Sequence, residues 1–357
     1  MLEVNRKLPE KGLKKILIRG TNWIGDAVLT IPAIASIRAT YPRAHIAVLA
    51  KPWLADVYRF FSTADEVILY EQKHDNALGV FSLARKLKER KFDAAILLQN
   101  AIEAAIIARS AGIPVRAGYD SDGRGILLTH RVKRSREIRR AHQVDYYLEM
   151  VKALGCVNFS KRIKLQKKID RRATEELLSK HLGPRQNPLI GIAPGAAYGP
   201  AKKWFPQRFA AVADKIADTY RCRIILLGGK SDAAAAEEVC RFARTDLINL
   251  AGKTSLKEAI HLIAQCRLFL SNDSGLMHVA GALNIPTIAI FGSTDPTTTS
   301  PVGGRSIVVY KKVACSPCLK KNCPIDFRCM EAISVEDVSA AADHLLKRNP
   351  EKEGNEK

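Results

Sequence analysis

Apolar residues fall along the chain in short continuous runs, separated by longer stretches in which they recur at helical spacing. In the first half the runs are KKILIRG (14–20), HIAVLA (45–50), EVILY (66–70), DAAILLQ (93–99) and IPVRAG (113–118). Helical patterns lie between them, one from about Asp26 to Thr40 and another carrying Leu83, Leu87 and Phe92. Runs without polar alternation predict strands buried on both faces, and their alternation with helices predicts a parallel sheet. A second set follows as LIGIAP (189–194), RIILLGG (223–229), DLINLAG (246–252), RLFLSND (267–273) and PTIAIFG (286–292). Helix starts are marked at Ser231-Asp232 and at Ser255, where Glu258 three residues on completes a capping box. The expected fold class is α/β: two Rossmann-like, doubly wound parallel-sheet domains facing a cleft.

After Leu154-Gly155 the pattern gives way to a basic, polar segment ending in GPRQNP (183–188). The expected organisation is a first domain over 1–170, a linker over 171–188 and a second domain over 189–333. A C-terminal helix is expected over 334–348 and a disordered tail over 349–357. No apolar run approaches the roughly 20 residues of a spanning helix. The N-terminus has basic residues but no apolar signal core, so a cytoplasmic protein is expected.

Charge narrows the partners. Across 357 residues, 57 Lys and Arg stand against 36 Asp and Glu, a net charge of +21. Such an excess suits a polyanion: nucleic acid, an anionic membrane face or a phosphorylated substrate. It is concentrated in RVKRSREIRR (131–140) and KRIKLQKKIDRR (161–172). Neither run has interleaved aromatics on which bases could stack, which disfavours nucleic acid.

Three turns at the ends of predicted strands carry candidate chemistry. In GTNWIGDAVLTIPAI (20–34), Asp26 stands at a helix start, either as a first-turn charge or as a general base able to take a proton from a hydroxyl. In APGAAYGPAKKWFPQRF (193–209), Gly195 lies in a rigid Pro- and Gly-containing loop, and Lys202 or Lys203 can neutralise a diphosphate as a point charge. In SNDSGLMH (271–278), Asp273 is expected to cap the helix, with orientation of Lys202 or a sugar contact as its other roles. Ser274, Gly275, Leu276 and Met277 would offer backbone N–H groups to an anion, and His278 would pack or line the cleft.

These three stretches, ILIRGTNWIGDAVLTIPAI, PGAAYGPAKKWFP and SNDSGLMHVAGAL, in this order and separation, resemble the ADP-heptose:lipopolysaccharide heptosyltransferases. The PGA-x-x-GPAK form and the later CSPCLKKNCPIDFRCM are similar to the type II members in particular. The resemblance spans about residues 14–345. It implies a GT-B fold, an inverting and metal-independent transfer, and no cofactor, ADP-heptose being a co-substrate. It carries over Asp26 as base, Lys202 as diphosphate contact, and Gly195, Asp273 and the turn through His278 as donor-site residues. Asp232 then stands where an acidic side chain meets ribose hydroxyls. The acceptor implied is the anionic lipopolysaccharide inner core, held by Arg131, Lys133, Arg134, Arg136, Arg139 and Arg140 while the protein rests on the inner face of the inner membrane. Transfer onto the first heptose is expected; transfer onto Kdo-lipid A or another core position, and a non-catalytic nucleotide- or polyanion-binding protein, are the alternatives.

Other signals are set aside. Asp120-Ser121-Asp122 matches D-x-D but falls in the half not expected to hold the nucleotide, and Gly228-Gly229 is not a dinucleotide fingerprint. Cys315, Cys318, Cys323 and Cys329 are expected as reduced thiols, ahead of a structural zinc, because the second pair lacks the knuckle spacing.

Overall fold

The structure is a computed structural model and describes residues 2–71, 76–183, 187–303 and 305–347. The chain divides into two compact units, Met1–Lys167 and Lys168–Lys357.

The first unit is a six-stranded sheet in the order β3-β2-β1-β4-β5-β6. Its strands are β1 (Lys15–Arg19), β2 (His45–Ala50), β3 (Glu66–Leu69), β4 (Ala94–Leu97), β5 (Val115–Tyr119) and β6 (His130–Val132), all parallel to their neighbours. The helices α1 (Ile24–Thr40), α2 (Ala55–Phe61), α3 (Ala77–Glu89), α4 (Ile102–Ser110) and α5 (Gln143–Ala153) cover it. Ile16, Leu17 and Ile18 on β1 are buried in succession, as a central parallel strand requires. On one face Leu83, Leu87 and Phe92 close the core against α4. The turn after β1 depends on Gly20: a Cβ there would lie 2.5 Å from Tyr58 Oη, and the phenol accepts from Thr21 N at 3.2 Å.

The second unit repeats the topology, with strands β7 (Leu189–Ala193), β8 (Arg223–Leu226), β9 (Leu247–Asn249), β10 (Cys266–Asn272), β11 (Thr287–Phe291) and β12 (Ser306–Tyr310). Their order, β12-β11-β10-β7-β8-β9, is the same path traced from the other edge. Its helices are α6 (Arg171–Leu182), α7 (Pro206–Tyr220), α8 (Ala233–Phe242), α9 (Leu256–Ile263), α10 (Gly275–Ala282), α11 (Pro296–Thr299), α12 (Arg328–Glu331) and α13 (Val335–Lys347). The capping box at α9 is present, with Ser255 Oγ accepting from Glu258 N at 3.2 Å and Glu258 accepting from Ser255 N at 2.7 Å.

Three features depart from the sequence pattern. Strands β6 and β12 add an edge to each sheet. Residues 171–182, expected within the linker, form α6, because Thr174, Leu177, Leu178 and Leu182 make a buried face at helical spacing beneath the charge. The compact division therefore falls earlier, between Lys167 and Lys168. The tail expected over 349–357 lies outside the described residues, as do residues 184–186 of the connection.

Candidate active site

In each unit the chain starts at a central strand, winds outward to one edge, then returns to build the other half. The crevice at the carboxyl ends of the two central strands is where such sheets take ligands. In the second unit these strands are β7 and β10. Asn272, the last residue of β10, ties their loops together: its Oδ1 accepts from Trp204 N at 3.0 Å and its Nδ2 donates to Pro194 O at 2.7 Å.

Beside it, Lys202 Nζ donates to the Asp273 carboxylate at 2.6 Å, and Thr294 Oγ1 donates to the same oxygen at 2.7 Å. The two charged side chains are 15% and 5% exposed, so the ammonium is held in place and shielded from bulk water. Lys202 Nζ also lies 5.1 Å from the Tyr198 ring centroid. Lys203 serves a different surface, lining a depression of about 340 Å³ with Phe205, Ala234 and Glu238. The two adjacent lysines are thereby told apart.

Asp273 does not cap α10, contrary to expectation. Its carboxylate is turned toward Lys202 and Thr294, and the cap falls to Ser274, whose Oγ accepts from Met277 N at 3.4 Å. Met277 therefore spends its N–H inside the turn rather than offering it to a ligand. Gly275 and Leu276 are half-buried in the first turn, where no helix carbonyl reaches their N–H groups, so this end of α10 can receive an anion. His278 is buried within α10.

Gly195 and Asp232 meet on the β8 side of the crevice. Asp232 Oδ2 accepts from Gly229 N at 2.9 Å and closes the turn after β8; it makes no side-chain cap bond to α8. A Cβ on Gly195 would stand 2.2 Å from Asp232 Cγ, so only glycine fits.

The cysteine-rich segment buttresses the Lys202 loop. Tyr198 Oη donates to Leu319 O at 2.9 Å, and Ala201 N donates to Lys321 O at 3.1 Å. All eight cysteines are free thiols. Burial raises the Cys329 thiol above its ordinary value, with neighbouring Cys315, Cys318 and Cys323 adding to the effect. Among the described residues, no group of three or more His, Cys, Asp or Glu is placed to hold a metal ion.

In the first unit Asp26 is half-buried in the first turn of α1. Its charge reaches the buried phenol of Tyr147, which burial first and Asp26 second push well above the ordinary range. The carboxyl ends of β1 and β2 also carry two buried cations. Arg19 Nη2 donates to Asn22 Oδ1 at 3.1 Å, and Lys51 Nζ lies 3.9 Å from the Tyr70 ring centroid. Arg124 donates to the Tyr119, Gln99 and Leu97 carbonyls and is a fixture of the fold. The D-x-D residue Asp120 accepts from Arg134 N.

The six basic residues of 131–140 differ in their surroundings. Lys133 Nζ pairs with Glu3 at 2.9 Å, and the Arg134 guanidinium lies 5.7 Å from the Tyr146 ring centroid. Arg131, Arg136, Arg139 and Arg140 are exposed. Asn272, Thr294 and Tyr198 were not singled out from the sequence. Asn272 alone had a signal, a polar side chain closing an otherwise apolar strand.

Residues 80–327 match the family profile of glycosyltransferase family 9 (heptosyltransferase). The chain is 32% identical over 316 residues to lipooligosaccharide heptosyltransferase 2 of Haemophilus influenzae, covering 82% of this chain and 88% of that one. It is 30% identical over 307 residues to lipopolysaccharide heptosyltransferase 2 of Escherichia coli, covering 83% and 87%. The solved structure of E. coli ADP-heptose lipopolysaccharide heptosyltransferase II superposes with a TM-score of 0.80 at 27% identity, over 93% of this chain and 98% of that one.

Proposed function

The chain belongs to glycosyltransferase family 9, the heptosyltransferases, and we propose that it moves L-glycero-D-manno-heptose from ADP-heptose onto the first heptose of the lipopolysaccharide inner core. The observation that carries this reading is the Lys202–Asp273 pair at the mouth of the second sheet, beside the open first turn of α10. Together they supply a fixed positive charge and N–H donors where a diphosphate leaves. Charge preorganised in this way stabilises a departing group without rearranging during the reaction.

In the proposed step the acceptor hydroxyl gives its proton to Asp26 and its oxygen bonds to the anomeric carbon. The bond from that carbon to the diphosphate breaks, and the electron pair leaves with ADP. Lys202 and the Gly275 and Leu276 N–H groups take up the new charge, the role a metal ion would otherwise fill. Attack from the opposite face inverts the configuration. Gly195 and Asp232 hold the nucleotide's ribose side. Arg131, Arg136, Arg139 and Arg140 are assigned to the anionic acceptor, with the protein peripheral to the inner face of the inner membrane. No helix among the described residues is long and apolar enough to cross a membrane.

The test is ADP release from ADP-heptose with a heptose–Kdo–lipid A acceptor, in the parent protein and in Asp26→Asn. We expect acceptor-dependent release, lowered in the variant by about 100-fold or more, the usual contribution of a general base. Release only with a heptose-free acceptor would move the enzyme one step earlier. Silence with both acceptors would overturn the transferase reading.

A further inference from the structure

Two of the chain's three tryptophans are left in water. Trp23 is 56% exposed and Trp53 is 54% exposed, whereas Trp204 is 1% exposed and donates to Ile333 O at 3.1 Å. An indole left half in water forgoes much of the burial that makes it useful in a core.

Trp53 sits in the short turn Pro52–Leu54 after β2, and its Nε1 donates to Asn22 O at 3.3 Å, the residue next to Trp23. Asn22 is itself held by Arg19 at 3.1 Å, and the Lys51 ammonium lies 5.8 Å from the Trp53 ring centroid. This network of buried cations and backbone fixes the Trp53 indole, and the chain beside Trp23, at the carboxyl ends of β1 and β2. Trp23 is the residue before α1, and its carbonyl accepts from Ala27 N at 2.9 Å, which brackets Asp26 within the same turn.

A lipid surface would favour exposed indoles and a lysine beside them, but not a carboxylate one turn away. A sugar ring meets all of these at once. Its C–H face stacks on the electron-rich face of an indole, and its hydroxyl edge takes hydrogen bonds from polar neighbours. We propose that Trp23 and Trp53 form the aromatic platform on which the acceptor's sugar rests, presenting its hydroxyl to Asp26. This rests on the glycosyltransferase reading above and names the binding surface for that acceptor.

Trp23→Ala and Trp53→Ala, with the corresponding Phe variants, test it through two readouts. In steady-state kinetics the Ala variants should raise the acceptor KM by at least about tenfold, leave the donor KM unchanged, and be partly rescued by Phe. In the second readout, a lipid-free heptose–Kdo oligosaccharide should quench the intrinsic fluorescence of the Asp26→Asn protein, and the quench should shrink in the Trp→Ala variants. Buried Trp204 reports whether each variant remains folded. Normal transfer with an unchanged acceptor KM would sink the platform and leave the transferase standing. Quenching by the oligosaccharide without transfer to any acceptor would do the reverse. Quenching by sugar-free anionic vesicles and not by the oligosaccharide would overturn the proposal in favour of a membrane contact.

Discussion

Lys202 and Lys203 are adjacent in the chain and differ in what each would leave behind if removed. Lys202→Met strands the Asp273 carboxylate, 5% exposed, with the Thr294 hydroxyl still donating to it in the crevice. Leaving a buried charge without its counter-ion costs roughly 3 kcal/mol. Lys203→Met removes a half-buried ammonium from the rim of a depression and should cost no more than about 0.5 kcal/mol. Chemical denaturation of the two variants checks this, and equal losses would mean that the Lys202–Asp273 pair contributes nothing. The sequence shows two lysines before a helix, but choosing between them needs the return of β10 beside β7. The same holds for Thr294, which reaches Asp273 across 21 positions of chain. Contacts set by tertiary closure leave no local pattern to read.

At the scale of elements, legibility followed hydrophobic continuity. Strands β1 to β5 and β7 to β11 are apolar runs of parallel-sheet type and were expected. Strand β6 is three residues long with exposed Arg131 at its centre, and β12 is a largely half-buried edge strand after a Pro- and Gly-containing stretch. Helix α6 was hidden because its charged surface outweighs its buried face. A joint between elements also makes a pH prediction. Burial raises the Asp214 carboxyl, but bonds from Thr245 N at 2.8 Å and Arg244 N at 3.1 Å outweigh it and hold the group below its ordinary value of 3.8. A depressed carboxyl stabilises the fold fully above its unfolded value and loses that contribution as pH falls through its folded value. The parent protein should therefore lose stability below pH 3.8 more steeply than Asp214→Asn, as read by denaturation midpoints across acid pH. Parallel curves would show that Asp214 does not couple α7 to the segment after α8.

For the whole molecule, the alternation of strands and helices predicted two parallel sheets but not their shared strand order, which depends on where each crossover lands. The charge is a property of this scale as well. A net charge of +21 should bind anionic vesicles at low salt and release them as ionic strength rises, since the screening length contracts to about 3 Å at 1 M. Flotation with phosphatidylglycerol vesicles checks this, alongside a variant with Arg131, Arg136, Arg139 and Arg140 changed to Glu. Binding untouched by the four changes would move the contact away from 131–140.

The fit between Gly195 and Asp232 constrains how this chain can vary over evolutionary time. An added Cβ at 195 meets not only the carboxylate but also the Asp232 Cβ, at 2.5 Å. Shortening Asp232 to alanine leaves that obstacle standing, so no single compensating loss at 232 short of glycine opens room at 195. The two positions are epistatic through backbone spacing. A lineage that replaces Gly195 must therefore either lose the carboxylate assigned to the ribose or shift the turn after β8 that carries it.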